Sequence, residues 1–113
     1  MGAVACLSLI MYMEALNQSD YTKALVADVA IERAKQEELS ICSSMKKKKS
    51  YSWMWDGKYT KVDRKLLEGL KPIAARELKK PVVKGRFFFN ECSLGKRFRT
   101  DYKLIRSEKL CFY

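Results

Sequence analysis

A single carboxylate stands at the end of the first apolar segment of the chain, in the stretch LIMYMEALNQ (residues 9–18). Before Glu14, only Cys6 and Tyr12 carry ionisable side chains. Apolar surroundings disfavour an ionised carboxylate, as does the C-terminal end of a helix, so both effects raise the pKa of Glu14. A carboxyl group that stays protonated near neutral pH can act as a general acid. The simpler alternative is a glutamate that extends into solvent at a helix end, and helix physics alone favours it.

Two helices are expected to position this residue. Residues 3–16 are apolar on every side, which is typical of a buried helix. A break at 17–19 follows, with Ser19 as a candidate N-cap. Residues 20–37 then place apolar side chains on one face and charged ones largely elsewhere. We expect the two segments to pack as a helical pair.

The second half of the chain has a different pattern. Residues 45–50 include four lysines in a row and predict a solvated loop. Residues 51–60, YSWMWDGKYT, are aromatic and contain an Asp-Gly turn signal, which favours a hairpin or a shaped loop. In a strand, Tyr51, Trp53 and Trp55 would share one side.

The remaining segments predict one more helix and a small sheet. Residues 61–79 suit a helix that Pro72 divides or kinks. Residues 82–90 and 102–113 are rich in aromatic and β-branched side chains and predict strands. The whole pattern, over residues 1–113, predicts a single α+β domain with an N-terminal helical pair followed by a small antiparallel sheet.

Composition narrows the possible chemistry. The chain has no histidine, which excludes Ser-His-Asp and Cys-His catalysis and histidine-ligated zinc. The net charge of +10 favours polyanionic partners, namely nucleic acid, an acidic membrane face or a bacterial envelope. We expect no cofactor and no metal.

The four cysteines are widely spaced, so buried free thiols are the default expectation, with a disulfide such as Cys6–Cys42 as the alternative outside the cytoplasm.

The apolar N-terminus does not match a signal peptide. It lacks a basic leading region and a clean cleavage site, and it is too short to span a bilayer. We therefore expect no signal peptide and synthesis in the cytoplasm.

Residues 6–35, CLSLIMYMEALNQSDYTKALVADVAIERAK, resemble the opening of the SleB/CwlJ-type cell wall hydrolases. That family has Ile-Tyr-x-Glu-Ala-Arg-Gly-Glu, then a helix with Ala-Val-Ala-x-Val-x-x-Asn-Arg. Tyr12, Glu14 and Ala15 match the first block. Five residues fit the second block approximately: Ala24, Val26, Ala27, Val29 and Arg33.

The resemblance continues in the same order along almost the whole chain. Cys42 falls where many members have a cysteine. The stretch YSWMWDGK (51–58) is similar to a Gln-Phe-Ser-Trp stretch of the family that is followed by Asp-Gly. The stretch KGRFFFN (84–90) resembles the family's Gly-Ala-x-Tyr-Phe-His-Asn, and the terminal CFY resembles its His-x-Phe-Tyr. No block is specific by itself, and four in order are moderately specific.

The resemblance implies a lysozyme-like fold that cleaves peptidoglycan between N-acetylmuramic acid and N-acetylglucosamine, with Glu14 as the catalytic acid and base. Most glycosidases need two carboxylates. A lytic transglycosylase needs one, because the muramic acid 6-hydroxyl of the substrate is the nucleophile. Hydrolysis, in which water adds at the new reducing end, would instead require a second carboxylate, for which Asp20, Glu32 and Asp56 are candidates.

Four further residues are candidates for substrate binding. Tyr12 could line the cleft, and Trp53, with Trp55, could stack on sugar rings. Ser52 and Asn90 match family positions and could hydrogen-bond the substrate or Glu14. Each has an alternative structural role, as a core aromatic residue or as a turn or cap residue.

Three polar positions of the family pattern are lost in this chain. The second acid of the first block is Gln18, and the two family histidines are replaced by Phe89 and Leu110. If those groups order the cleft, the enzyme would be slow, altered in substrate, or inactive.

The leading interpretation is therefore a compact, monomeric enzyme that binds peptidoglycan glycan strands during phage lysis or cell wall turnover. It would be released at lysis or carried by the virion, and its charge could bring it to anionic envelope polymers. The alternatives are a basic nucleic-acid-binding module, although no specific nucleic-acid signature is present, and a weakened peptidoglycan-binding relative.

Overall fold

The computed structural model describes residues 1–47, 50–94 and 105–113. In these residues, helices come first along the chain and short strands follow. The helices are α1 (Ala3–Ala15), α2 (Asp20–Glu37), α3 (Ile41–Lys46), α4 (Ser52–Trp55), α5 (Arg64–Gly69) and α6 (Lys71–Lys79), and the strands are β1 (Phe89–Glu91), β2 (Ile105–Ser107) and β3 (Leu110–Phe112). Single-turn 3₁₀ helices span Lys58–Lys61 and Cys92–Leu94. This order confirms the predicted α+β fold class.

The predicted helical pair is present, and its bounds agree closely with the sequence pattern. Ser19 is the N-cap of α2, since its hydroxyl accepts a hydrogen bond from the Thr22 backbone N–H at 3.2 Å. The helix ends at Glu37, and the left-handed backbone of its C-cap residue Glu38 (φ 56°) turns the chain out of the helix. Helix α1 packs against α2, α3 and α6, and this contact forms the centre of the molecule.

The hydrophobic core lies between α1, α2 and α6 and extends to the sheet. Among its fully buried or nearly buried members are Cys6, Leu7, Ile10 and Met11 of α1, Leu25, Val26 and Val29 of α2, Ile73 and Ala74 of α6, and Leu110 and Phe112 of β3. Burial of each large aliphatic or aromatic side chain contributes about 1.5–3 kcal/mol. In the described ranges, no helix has both the length and the hydropathy to cross a membrane.

The aromatic segment after residue 50 forms a helical turn, so the hairpin prediction was wrong. In α4 the Asp56 backbone N–H donates to the Ser52 carbonyl at 3.2 Å, and Gly57 (φ 79°) makes the predicted turn. Strand alternation fails as well, because Trp53 is 5% exposed and Trp55 is 61% exposed. A helix rotates side chains by about 100° per residue, so residues two apart face different directions.

The loop predicted at 45–50 is only partly present. Met45 and Lys46 belong to the last turn of α3, and Met45 is buried against the core. Residues 48 and 49 lie outside the described residues. Ser40 caps α3 through a hydrogen bond from the Ser43 backbone N–H at 3.1 Å, which explains why so short a helix forms here.

The predicted helix at 61–79 is divided as expected. Asp63 caps α5, accepting hydrogen bonds from the Lys65 and Leu66 backbone N–H groups at 2.9 and 3.2 Å. Helix α6 then starts with Pro72 in its first turn, where a missing backbone N–H costs nothing.

Only the end of the strand predicted at 82–90 is a strand, because β1 starts at Phe89. The backbone N–H groups of Val82 and Val83 donate to carboxylates instead of a neighbouring strand, at 3.0 and 2.9 Å. Gly85 adopts a left-handed conformation (φ 74°), which bends the chain before β1.

The sheet is antiparallel, with strand order β1-β3-β2. Of the strand predicted at 102–113, residues 102–104 lie outside the described residues, and the rest is a hairpin of β2 and β3. Its turn contains Glu108 (φ 53°), whose carboxylate accepts hydrogen bonds from the Ser19 backbone N–H at 2.6 Å and the Thr22 hydroxyl at 2.8 Å. These bonds attach the hairpin turn to the start of α2.

All four cysteines form disulfides, so the default expectation of free thiols was wrong. Cys6–Cys42 joins α1 to α3, and it is the pair named as the alternative. Cys92–Cys111 joins the 3₁₀ helix after β1 to strand β3. The Cα–Cα distances of 5.4 and 5.1 Å are those of ordinary disulfides.

Two buried carboxyl groups, Asp28 of α2 and Glu77 of α6, face each other in the core and are 2% and 0% exposed. Burial and then a hydrogen bond from one carboxyl group to the other raise the pKa of Asp28 to about 8. The two groups also accept the Val83 and Val82 backbone N–H groups, and Arg76 Nε donates to Glu77 at 3.0 Å. A bond between two carboxyl groups requires a proton on one of them, so the pair shares a proton and fixes the segment after α6.

The Asp28→Asn variant should be more stable than the wild type at about pH 8 and similar to it near pH 4. The unfolded aspartic acid ionises near pH 3.9. Its raised native pKa therefore contributes stability below about pH 4 that is lost as the pH rises towards 8. Asparagine keeps an acceptor for Val83 and a donor for Glu77 but does not titrate. Urea midpoints measured across this range check the prediction.

The control is Glu37→Gln, because the hydrogen bond from Lys47 lowers the pKa of that carboxyl group. The stability that the Glu37 carboxylate contributes is lost only at acid pH. The stability of this variant should therefore change with pH as steeply as that of the wild type between about pH 5 and 8. An equal pH dependence of stability in the wild type and in Asp28→Asn would contradict the raised pKa of Asp28.

Candidate functional site

Glu14 lies in the last turn of α1 and is half-buried. It faces a groove of about 370 Å³ that we call the Glu14 groove, lined by residues 12–18. The apolar helix brings the carboxyl group to the protein surface at the point where the chain leaves α1 for α2. Glu14 is thus both shielded by the core and open to a ligand.

A hydrogen bond from a buried tryptophan fixes the carboxyl group. Trp53 Nε1 donates to Glu14 Oε1 at 2.8 Å. Helix α4 holds this indole beside the Tyr51 ring, with 5.4 Å between ring centroids, and Tyr51 is 3% exposed. The Arg33 guanidinium of α2 lies over the Tyr51 ring at 5.1 Å from its centroid. Residues of three helices and the chain before α4 therefore surround one carboxylate.

The environment of Glu14 favours its protonated form. Burial raises the pKa of Glu14, while the hydrogen bond from Trp53 and then the positive charge of Arg33 lower it, and the net direction is upwards. This is the direction predicted from the apolar sequence around the residue. Burial also raises the pKa of Tyr51 to about 12, so that hydroxyl stays protonated and cannot act as a base near neutral pH.

The placement of Trp53 gives it a different role from sugar stacking. With 5% of its surface exposed, the indole offers no open face to a ligand. Its N–H group instead orients the carboxyl group of Glu14. Trp55, at 61% exposed, has a face available to solvent.

Replacing Trp53 with phenylalanine should raise the pKa of Glu14 further, because the lost hydrogen bond stabilises the ionised carboxylate. Activity that depends on protonated Glu14 would then extend to higher pH, and its maximum would fall about tenfold because the acid is no longer oriented. A pH–rate profile with the substrate proposed below measures both effects. The Trp55→Phe variant should keep the wild-type alkaline limb. A Trp53→Phe profile with an unmoved alkaline limb would contradict the positioning role.

Among the other predicted site residues, the structure brings Tyr12 to the groove but leaves Asn90 on the sheet. Tyr12 lines the Glu14 groove, and its hydroxyl accepts a hydrogen bond from the Asp63 backbone N–H at 2.9 Å. Ser52 is exposed at the start of α4, directly before Trp53. Asn90 lies opposite Cys111, and its buried Oδ1 has no hydrogen-bond partner among the described residues.

The three positions that depart from the family pattern have different surroundings. Gln18 lines the Glu14 groove, and its buried Oε1 has no partner in the part of the chain that the structure describes. Phe89 and Leu110 belong to the sheet, where the Phe89 ring packs against Phe112 at 5.7 Å and Leu110 is 6% exposed. Apolar side chains suit both sheet positions.

Arg33 is a site residue that sequence reasoning did not select. It matches the arginine in the second block of the family pattern and lies in a helix of small apolar side chains. Those two signals would have been enough to nominate it. Its charge acts on the Glu14 carboxyl group from α2.

The Glu14 groove suits proton transfer by one carboxyl group. Of the residues that line it, only Glu14 is acidic. Asp20, one of the candidates for a second carboxylate, lies at the start of α2, 3.7 Å from Lys23 Nζ. Within the described ranges, no group of three or more cysteine, aspartate or glutamate side chains could hold a metal ion.

Comparisons of the chain with protein-family models, with curated proteins and with solved structures find no match.

Proposed function

We propose that this protein cleaves the glycan strand of peptidoglycan between N-acetylmuramic acid and N-acetylglucosamine as a lytic transglycosylase. The observation that carries the proposal is Glu14, a half-buried acid with a raised pKa that lines a groove and is oriented by a buried indole. Raising a carboxyl pKa by burial is how glycan-cleaving enzymes obtain a general acid near neutral pH.

The reaction needs one protein carboxyl group. Glu14 donates its proton to the glycosidic oxygen as the bond from muramic acid C1 to that oxygen breaks. The 6-hydroxyl of the same muramic acid then attacks C1, and its proton returns to Glu14. The products are an N-acetylglucosamine 4-hydroxyl end and a 1,6-anhydromuramic acid end, so Glu14 finishes in the state in which it started.

The sequence resemblance and the fold class support the proposal together. The residues that resemble the first SleB/CwlJ-type block form the end of α1, and those that resemble the second form α2. The α+β arrangement suits a lysozyme-like enzyme in which helices carry the acid. We further propose that the protein acts in phage lysis or wall turnover, and that its net charge of +10 draws it to anionic wall polymers.

The test is a digest of purified sacculi with the oxidised protein, followed by mass analysis of the released muropeptides. Products that carry anhydromuramic acid support the proposal. Products with a water-added reducing end would make the protein a hydrolase and require a second carboxylate. Binding to sacculi without release of muropeptides, or salt-sensitive retention on DNA instead, would overturn it.

A further inference from the structure

A second groove continues from the Glu14 groove and is larger, at about 740 Å³. We call it the α5–α6 groove because residues of those two helices form one of its walls, while the end of α1 and the start of α2 form the other. The two grooves share Leu16 and Asn17. Both shared residues directly follow the helical turn that carries Glu14, so the two grooves adjoin one another where the chain leaves α1.

The α5–α6 groove has an apolar floor and a basic rim. Leu70 and Ile73 contribute buried side chains to its floor. Lys23, Lys65 and Arg76 supply three cations, against Asp20 as the one acidic side chain on the lining. Such a groove attracts an extended ligand with carboxylate groups more than a neutral one.

Two of the rim cations are already held in place. Lys23 lies 3.7 Å from Asp20, and Arg76 is anchored by the hydrogen bond from its Nε to Glu77. An anchored guanidinium loses less conformational freedom when it binds a carboxylate, and its terminal NH₂ groups are the donors suited to bidentate contact. The Arg76 side chain is 61% exposed, so these donors can meet a ligand.

We propose that the α5–α6 groove binds the acidic stem peptide of the strand whose glycan lies at Glu14, an inference that rests on the proposed function. The stem peptide is attached to muramic acid, the sugar at which the bond breaks. It therefore leaves the glycan beside Glu14, where the two grooves join. It carries several carboxylates and short aliphatic side chains, which match a basic rim and an apolar floor.

The experiment compares kcat/KM for glycan strands that carry stem peptides with that for the same strands after an amidase has removed them. We expect the wild type to prefer peptide-bearing strands about fivefold, a factor typical of a few partly exposed charge contacts. Lys65→Glu should reduce this ratio to near one. Lys35→Glu makes the same charge change at a separate groove and should keep the wild-type ratio.

Gly69 provides a steric test at the same wall. A Cβ at this position would have no atom of another element within 4 Å, so a larger side chain should be accommodated without disturbing the core. Gly69→Trp should lower the ratio by filling the groove, and Gly69→Ala should not. A wild-type ratio near one, or an equal fall in Lys65→Glu and Lys35→Glu, would overturn the inference.

Binding of the released stem peptide to Glu14→Gln, followed by amide chemical shifts in α5 and α6, separates this inference from the proposed function. Suppose that the peptide binds, that Lys65→Glu weakens this binding, and that the wild type with Glu14 intact cleaves no strand. This result would support peptide binding in the α5–α6 groove and overturn the proposed enzymatic function. Cleavage of both strands at equal rates, without peptide binding, would do the opposite.

Discussion

Replacing Glu14 with glutamine should reduce the release of muropeptides by about 10²–10⁴-fold, the usual contribution of general acid–base catalysis. Glutamine has nearly the same shape and keeps an oxygen that can accept the Trp53 N–H, but it cannot supply a proton. Because the pKa of Glu14 is raised, removing its charge should not lower the stability of the fold at neutral pH. The measurement is the initial rate of anhydromuropeptide release, with a thermal melt on the same samples.

Glu68→Gln is the matched control for that variant. It makes the same chemical change on α5, at a carboxylate that is 64% exposed and lies 2.9 Å from Lys71 Nζ. Its activity should stay within about twofold of the wild type, since an exposed ion pair contributes little. A folded Glu14→Gln protein with wild-type activity would exclude Glu14 as the acid and remove the basis of the proposed function.

Reduction of the two disulfides should have the largest effect on stability. The bridges close loops with sequence separations of 36 and 19 residues. The loop-entropy relation gives about 4 and 3 kcal/mol for loops of those lengths. Together these values are comparable to the whole stability of a small domain, so the reduced protein should be largely unfolded at 37 °C.

Thermal melts with and without a thiol-free reductant test this prediction, and two variants divide the effect. Cys42→Ser opens only the bridge between α1 and α3, and Cys111→Ser opens only the bridge to β3. Each variant should melt well below the oxidised wild type and above the fully reduced protein. Equal melting temperatures for the oxidised and reduced wild type would contradict a structural role for the bridges.

The helical pair and the divided helix after residue 61 were predictable because their signals are local. An apolar run, the Ser19 cap and a proline at 72 were enough to locate α1, α2 and the division between α5 and α6. These features depend on residues within a few positions of one another. The α+β class followed from the order of the sequence patterns, since the β-branched and aromatic segments come after the helical ones in the chain.

The segments that were mispredicted depend on contacts distant in the sequence. Residues 82 and 83 resemble a strand, but Glu77 and Asp28 take their backbone N–H groups, and Asp28 is 55 positions from Val83. Residues 51–55 have strand-like aromatic content, yet they form a helical turn in which Trp53 is buried and donates to Glu14, 39 positions away. The cysteine pairing also depends on tertiary approach, which spacing alone does not reveal.

The candidate site was predictable in part. Glu14 and the direction of its pKa followed from the apolar sequence around it. The orienting bond from Trp53, the charge of Arg33 and the neighbouring α5–α6 groove did not, because each joins elements that are far apart in the chain. Trp53 was predicted either to stack on a sugar ring or to be a core residue; in the fold it is a buried residue whose N–H group donates to Glu14.

The hydrogen bonds from Ser19 and Thr22 to Glu108 have a consequence for how the chain folds as it is synthesised. They span 89 and 86 positions and provide part of the N-terminal cap of α2. A nascent chain that stops before this hairpin has the helical pair without that cap, and contacts of such long range slow the last step of folding. The ribosome must therefore have synthesised and released the chain as far as Glu108 before the second helix acquires its complete start.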